Sequence, residues 1–554
     1  MNRLRYLFYF FNLLLLLIVV KLFFVQIFAS EKFASNNYLQ TKKILPARGE
    51  IFDRNKQPLA LNKTTYQLFV EPQRIKNKEK LVKDINKIIS MGEATLEAKI
   101  DMSKLWVPIT TNLSKEKKDK LAKLQLEGIG FDEETKRFYP ESSMSAHLLG
   151  FLGKNENGED KGYFGLEGFY QKDLMGLPGV LKTERDLFGN PIVIGVQDKL
   201  NGDNGRDLVL TIDKNIQLMV KNHLKDGIKR YGAKEGCVIV ADPNTMEIIA
   251  LSCLPDFDPG TYYKFSENTY KNPAISTLYE PGSIFKPLIT AAGLNERVIK
   301  PDDTMNETGP TQIGEYKVKT WDDKYAGKVT MTQILEKSSN VGMVHIGQKL
   351  GSKKLMKYLN KFGIGQLTDI DLQGEVPGFI KPEGSWYEID YATATFGQGI
   401  VVTPIQMITA FSSIINGGHM MRPYIVKEVI SSTGEVNKVK PQEKYRVIDD
   451  RSSMLIRKML ESTVEHGEIR YAKPKGYKMG GKTGTAQIPI EGHYDPSKTI
   501  ASFIGFAPVD KPRFVVLVSL KEPSTSIYGS ETAAPLFFEV AKDLLVYYNM
   551  PSDE

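Results

Sequence analysis

The chain is 554 residues long, room for two to four domains, and its 41% hydrophobic and 25% charged content is ordinary for a globular protein. A net charge of +7 is too mild over this length to argue for nucleic acid; it suits work beside an anionic surface, and equally a plain solvated one. Six scattered histidines and two cysteines form no metal-ligand spacing, and neither G-x-S-x-G nor G-x-x-x-x-G-K-[ST] occurs. No metal or cofactor is therefore expected, and an α/β-hydrolase and a P-loop NTPase are both disfavoured.

Residues 1–5, with Arg3 and Arg5, read as a cytoplasmic tail. Residues 6–28 are almost wholly apolar, broken only by Asn12, Lys21 and Gln26. About 23 residues of this kind can span a bilayer core. Lys21, toward the outer end, can snorkel to the interface. The run is long for the apolar region of a signal peptide, and Ile27-Phe28-Ala29 is no small-x-small cleavage site, so the expectation is an uncleaved anchor with a large domain outside the membrane. The stretch from Pro46 to Ala60, continuing through Val70, predicts a β-hairpin with a polar turn. Helical periodicity follows around Lys78–Ile89 and Lys115–Leu124, where Lys115-Glu116-Lys117-Lys118 reads as a solvated face. His147, flanked by apolar residues, is expected to be packed and hydrogen-bonded, and Glu167, beside glycines, to make a buried ion pair with an arginine.

Asn201-Gly202-Asp203-Asn204-Gly205 is the clearest linker. Beyond it come a strand at Asp207–Thr211, an amphipathic helix over Asn215–Tyr231, and antiparallel strands at Gly236–Ala241 and Glu247–Ser252 around Pro243-Asn244-Thr245. That turn sets Cys237 and Cys253 nearly opposite each other, close enough to bond; two packed thiols are the expected state. The stretch Tyr279–Asn295 carries a further helix, and two helices follow between Thr330 and Gly351. Thr403-Pro404-Ile405-Gln406 is a capping box with proline at the first helical position. Strands at Lys482–Ile488, Ala501–Ala507 and Arg513–Leu520 should pair, and Ala533–Tyr548 closes the chain as a helix. Helices on an antiparallel sheet make an α+β domain.

Glu280-Pro281-Gly282-Ser283-Ile284-Phe285-Lys286-Pro287 puts a serine and a lysine three residues apart after a Pro-Gly break. On a helix starting at Ser283 both side chains share one face, the hydroxyl within reach of the amine. The Ser283 N–H is then a free donor at a helix start. Two further strings follow in order: Ser338-Ser339-Asn340 at a helix junction, and Lys482-Thr483-Gly484-Thr485 before a strand-like run. S-x-x-K, S-D-N and K-T-G in this order are the signature set of class A β-lactamases and penicillin-binding proteins. The chain resembles a penicillin-binding protein, with Ser339 where the middle motif has aspartate. The string from Pro46 to Ala60 resembles the R-G-x-I-x-D-R-N-G-x-x-L-A pattern of class B penicillin-binding proteins, with Lys56 where that pattern has glycine. Ser338-Ser339-Asn340-Val341-Gly342 and Glu280-Pro281-Gly282-Ser283 look like the division-specific members.

The resemblance covers essentially the whole chain. It implies a penicillin-binding, serine β-lactamase-like transpeptidase domain over 204–554, with helices on both sides of an antiparallel sheet, and an elongated non-catalytic pedestal over 29–203. It implies acyl transfer from the D-Ala–D-Ala end of a peptidoglycan stem peptide through Ser283. Lys286 would be the base, which requires its pKa to fall from about 10.4 toward 7–8. Burial and a nearby cation, Lys482, would lower it. Ser338 would relay a proton to the leaving nitrogen, and Asn340 would hold Lys286 and the substrate amide. Thr483, Gly484 and Thr485 would bind substrate, with both threonines on its carboxylate. The backbone N–H groups of Ser283 and Thr485 would form the oxyanion hole. Expected partners are stem peptides, β-lactams covalently at Ser283, a membrane-embedded glycan polymerase and division proteins; no nucleic acid is expected. The competing readings are an elongation-type enzyme, a D-alanyl-D-alanine carboxypeptidase or β-lactamase, a β-lactam sensor, and a non-catalytic scaffold. Against a sensor stands the expectation that only five residues precede the span, and against a scaffold the complete motif set.

Overall fold

Residues Asn2–Ile27 form one 26-residue helix, α1, apolar on every side, with a mean hydropathy of 2.5 over its most apolar 18 residues and no buried face. At 1.5 Å per residue it is about 39 Å long, enough to cross a bilayer core. The computed structural model describes residues 2–27, 39–184, 197–490 and 493–552. The last residue expected in the span, Phe28, and the Phe28-Ala29 part of the cleavage-site reading lie outside them.

Two compact units emerge: 1–48 with 175–205, and 49–174 with 206–554. In the first, strands Leu39–Ile44, Gly179–Glu184 and Gln197–Leu200 make a three-stranded antiparallel sheet. The expected linker at 201–205 is pinned rather than loose: Leu177 and Asp203 exchange backbone hydrogen bonds, and Asn204 Oδ1 accepts from the Ala47 N–H at 3.0 Å.

The second unit opens with β1 (Ile51–Phe52) and β2 (Pro58–Val70), the expected hairpin. Lys56 sits at φ +60°, a conformation that costs a lysine what a glycine adopts freely. Asp53 offsets this: fully buried, its Oδ1 accepts from Asn55 N at 2.8 Å and Gln57 N at 2.7 Å. Helix α2 (Lys78–Ile89), strand β3 (Val107–Leu113), helix α3 (Lys115–Lys123) and strand β4 (Ile129–Phe138) follow; both outer strands pair with β2, and α2 buries Leu81, Val82 and Ile85. His147 is buried, its Nε2 3.0 Å from Thr269 O, and Glu167 Oε1 lies 2.7 Å from Arg137 Nε with both side chains almost wholly enclosed. Both expectations hold.

After β5 (Asp207–Leu210) and α4 (Lys214–Tyr231) comes the strand pair β6 (Glu235–Ala241) and β7 (Ile248–Leu254). Their register sets Cys237 directly opposite Cys253, Cα atoms 4.1 Å apart, and the two are joined in a disulfide. This corrects the expectation of two thiols: direct opposition leaves the sulfurs within bonding distance. Helix α5 (Lys286–Asn295), strands β8 (Thr304–Glu307) and β9 (Gly327–Thr330), and helices α6 (Met331–Glu336), α7 (Asn340–Leu350) and α8 (Pro404–Ile415) lead to β10 (Val426–Ile430), which pairs with β5. The capping box at Thr403 and Gln406 forms as expected. Helix α9 (Asp450–His466) precedes β11 (Gly480–Ile490), β12 (His493–Ala507) and β13 (Phe514–Lys521), and α10 (Ala533–Tyr547) closes the chain.

The central sheet runs β7-β6-β13-β12-β11, antiparallel throughout, with β11 at one edge. Its strands read as continuous apolar runs because both faces are buried. Along β6, Cys237, Ile239 and Ala241 enter the core containing α5 and α8, whereas Val238 and Val240 enter the core formed with α4 and α10. Side chains alternate between faces with period two, so one sheet nucleates both cores.

Candidate active site

Ser283 lies on a 3-10 turn, Gly282–Phe285, and the α-helix proper starts at Lys286. The Ser-x-x-Lys spacing predicts a helix that starts at the serine. Pro287 explains the difference: proline lacks an N–H and fits only the first turn of an α-helix. A 3-10 turn has three residues per turn, so Ser283 and Lys286 still share one face. Gly282, at φ +57°, turns the chain into this segment, and its N–H donates to Gly397 O at 3.0 Å.

The turn packs against edge strand β11, and Gly484 lies at their contact. A Cβ on Gly484 would lie 2.5 Å from Ser502 Oγ, 2.9 Å from Ile284 Cγ2 and 3.4 Å from Pro281 O. The glycine of the Lys-Thr-Gly string is thus required by close approach of the serine turn.

Lys286 is fully buried, and its ammonium nitrogen meets three acceptors from one neighbouring turn: Ser338 O, Ser338 Oγ at 3.1 Å and Asn340 Oδ1 at 2.8 Å. That turn joins α6 to α7. Ser338 adopts φ +54°, rare for a residue with a Cβ and held only by its surroundings. Asn340 is fixed in turn, its Nδ2 donating to Lys319 O at 3.1 Å. Burial holds the Lys286 pKa well below that of an ordinary lysine, and the like charge of Lys482 lowers it further, against Glu468 and Glu307. Lys482, on β11, is itself pushed down to about 8 by burial, opposed by Glu468. Its Nζ donates to Thr483 Oγ1 at 3.1 Å and to the Thr483 carbonyl at 3.2 Å. Thr485 Oγ1 accepts from Gly529 N at 3.1 Å.

The structure thus brings Lys286, Ser338 and Asn340 into direct contact, sets Lys482 within electrostatic reach, and lays Gly484 against the serine turn. It shows no hydrogen bond between Lys286 Nζ and the Ser283 hydroxyl; the amine's contacts all go to the Ser338–Asn340 turn. Contacts to a nucleophile are commonly longer before substrate tightens the site. A half-buried serine on a tight turn, a buried amine of lowered pKa and a cation beside two threonines is an arrangement suited to acyl transfer from a substrate carrying a carboxylate.

Several contributors were not legible in the sequence. Ser339 caps α7, its Oγ accepting from Gly342 N at 2.9 Å, and it donates to Glu307. Lys319 supplies only a carbonyl, and Gly529 only an N–H. Trp321 and Tyr528 meet edge to face with ring centroids 5.7 Å apart, on the loops that carry those two backbone groups. Apart from Ser339, the middle residue of its string, none belongs to a motif, and only folding brings them here.

A family model described as "Penicillin binding protein transpeptidase domain" matches residues 236–543, and one described as "Penicillin-binding Protein dimerisation domain" matches 43–210. The chain is 35% identical to stage V sporulation protein D of Bacillus subtilis, over 98% of this chain and 85% of that protein. It is 30% identical to the peptidoglycan D,D-transpeptidase FtsI of Buchnera aphidicola, over 96% of this chain and 93% of the relative. Among solved structures, a peptidoglycan synthetase from Bifidobacterium adolescentis superposes with a TM-score of 0.76 at 28% identity, covering 93% of this chain and 98% of that one.

Proposed function

The chain belongs to the class B penicillin-binding proteins, the D,D-transpeptidases, and from that premise we propose that it cross-links peptidoglycan stem peptides through an acyl-enzyme on Ser283. The observation that carries the reading is Lys286: a fully buried amine of lowered pKa, three residues from the serine. Neutral Lys286 takes the Ser283 proton as Oγ attacks the D-Ala–D-Ala carbonyl, and Ser338 passes a proton to the departing D-alanine nitrogen. Asn340 holds Lys286 and the substrate amide. Lys482, Thr483 and Thr485 hold the terminal carboxylate, with Gly484 leaving room for the serine turn. The N–H groups of Ser283 and Thr485 receive the developing oxyanion, the latter from an edge strand onto which an extended peptide can add. The amine of a neighbouring stem then attacks the acyl-enzyme. β-Lactams acylate Ser283 by the same chemistry.

The protein is anchored by α1, with Arg3 and Arg5 placing residues 1–5 in the cytoplasm and the catalytic domain outside. Residues 29–203 serve as the pedestal and 204–554 as the catalytic domain, a division supported by the two family matches. A membrane-embedded glycan polymerase and division proteins complete the machinery, and the site of action is the septum. The sporulation protein's name favours a second reading, the same reaction at another developmental stage.

Penicillin labelling of the protein and of Ser283→Ala tests the nucleophile: labelling of the alanine variant would refute it. Intact-mass measurement then separates transpeptidase from β-lactamase. A β-lactamase must activate water against the acyl-enzyme, which is worth about 10²–10⁴-fold. No residue of this site is assigned that task, so a single penicillin adduct that persists for many minutes is expected. Rapid return to the unmodified mass with turnover of the drug would establish the β-lactamase instead. Depletion in cells decides the stage: filaments mean septation, round cells mean elongation, and normal growth with failed spores means sporulation.

A further inference from the structure

Glu307 stands at the end of β8, thirty-two residues before the serine it contacts, and its side chain is almost wholly buried (2% exposed). It faces Ser339, the middle residue of the Ser-Ser-Asn turn, which is equally buried. A serine hydroxyl has one proton and accepts through its lone pairs. Ser339 Oγ accepts from the Gly342 N–H at 2.9 Å, capping α7, and its single proton goes to Glu307 Oε1. Its chain neighbours on either side, Ser338 and Asn340, supply every acceptor that Lys286 Nζ contacts. Ser338 reaches Lys286 only by adopting φ +54°, which a residue with a Cβ holds only when its flanks are fixed. Glu307 is fixed in turn by the β8–β9 ladder, where it lies opposite Gly327.

From this geometry we infer that Glu307 is a positioning residue of the catalytic site: through Ser339 it locks the turn that delivers Ser338 and Asn340 to Lys286, and it dictates serine rather than aspartate at position 339. Aspartate would cap α7 as well as serine does. It has no proton to give, however, and would set two carboxylates at hydrogen-bonding distance in a buried place. The departure from Ser-Asp-Asn at the centre of this motif thus has a physical cause in a strand that carries no motif. Glu307 also bears on Lys286 by charge. The groups facing that amine are Lys482 from β11, Glu468 from the segment after α9, and Glu307 from β8; the first disfavours its protonated form and the other two favour it.

The inference rests on Lys286 being the base, and the experiment keeps the two apart. The full-length protein, Glu307→Gln, Ser339→Asp, the double variant and Lys286→Arg are compared by the second-order rate of fluorescent-penicillin acylation from pH 5 to 10, each beside its unfolding midpoint. The amide in Glu307→Gln keeps an acceptor for Ser339 but removes the charge, so this variant is expected to acylate and to shift the acid limb of the profile to lower pH. Ser339→Asp is expected to be slower by about tenfold to a hundredfold, as for a buried group left unpaired. In the double variant the new amide can donate to the new carboxylate, and recovery of about tenfold is expected, a coupling typical of contacting residues. If Ser339→Asp does not fold, Ser339→Ala replaces it, with the same slowing expected and no rescue by Glu307→Gln. An unmoved acid limb, no rescue of Ser339→Asp, or a wild-type rate in Ser339→Asp or Ser339→Ala would overturn the role of Glu307. Normal acylation by Lys286→Arg would instead overturn the base.

Discussion

Gly484→Ala adds one methyl group at the contact between the serine turn and β11. The new Cβ would stand 2.5 Å from Ser502 Oγ and 2.9 Å from Ile284 Cγ2, where carbon atoms prefer about 3.5–4.0 Å. Relief at Ser502 is inexpensive, because its buried hydroxyl makes no hydrogen bond and can rotate away without losing one. Ile284 has no such freedom: it is fully buried, and the residue before it is Ser283. The strain therefore passes to the serine turn, which must retreat by about 0.6 Å or more to reach an ordinary separation. Overpacking of this kind costs about 1–3 kcal/mol of stability. A misplacement of about 1 Å can cost about 100-fold in rate, so acylation should fall by about tenfold to a hundredfold while the protein stays folded. The assay is the second-order rate of fluorescent-penicillin labelling together with the unfolding midpoint. Wild-type acylation at wild-type stability would refute the view that Gly484 sets the approach of the serine turn.

In the free enzyme, k2/K for penicillin should fall on the alkaline side near pH 8, where Lys482 loses its proton; Lys482→Arg should carry that limb beyond the measurable range even if the rate is lower. An alkaline limb that stays near pH 8 in the arginine variant would remove Lys482 as its cause. Denatured, unreduced protein should show no free thiol, and Cys237→Ser/Cys253→Ser should lose about 3 kcal/mol, the loop-entropy value for a closed loop of similar length. Two titratable thiols would contradict the bond. Glu167→Ala leaves Arg137 buried without its carboxylate and should cost about 3–5 kcal/mol in denaturant unfolding. An unchanged midpoint would mean that the pair is not holding its surroundings.

How much of this molecule could be read before folding depended on the range of the physics involved. The apolar run before Phe28, the periodicity of α2 and α4, the capping box at Thr403 and the strands of the central sheet are local signals, set by patterning within a few residues. The three motif strings were also legible, since each is contiguous and their order is diagnostic. Pro287 shows the margin of such reading: it placed the α-helix start at Lys286 rather than Ser283, a shift that leaves both side chains on one face. Even the ion pair of Glu167 was foreseeable as a need, because a buried carboxylate requires a partner, although the sequence could not say that Arg137 would supply it.

What tertiary structure alone decided was everything that depends on two distant segments arriving at one point. The turn at Pro243-Asn244-Thr245 brings Cys237 and Cys253 near each other, but only the folded β6–β7 pair put them directly opposite and joined them. The lowered pKa of Lys286 exists only because folding strips its water and sets Lys482 beside it; neither burial nor a like charge from a strand nearly two hundred residues away is a property of the Ser-x-x-Lys string. The same holds for Glu307. An acidic residue on a short strand carries no pattern, and only the assembled β8–β9 ladder turns it toward Ser339. Sequence by itself determined which chemistry is proposed for this chain, because the proposed nucleophile, base and carboxylate-binding strand are each written in contiguous residues. The fold determined the protonation and orientation of those groups, because desolvation and long-range contact arise only once the chain has closed around them.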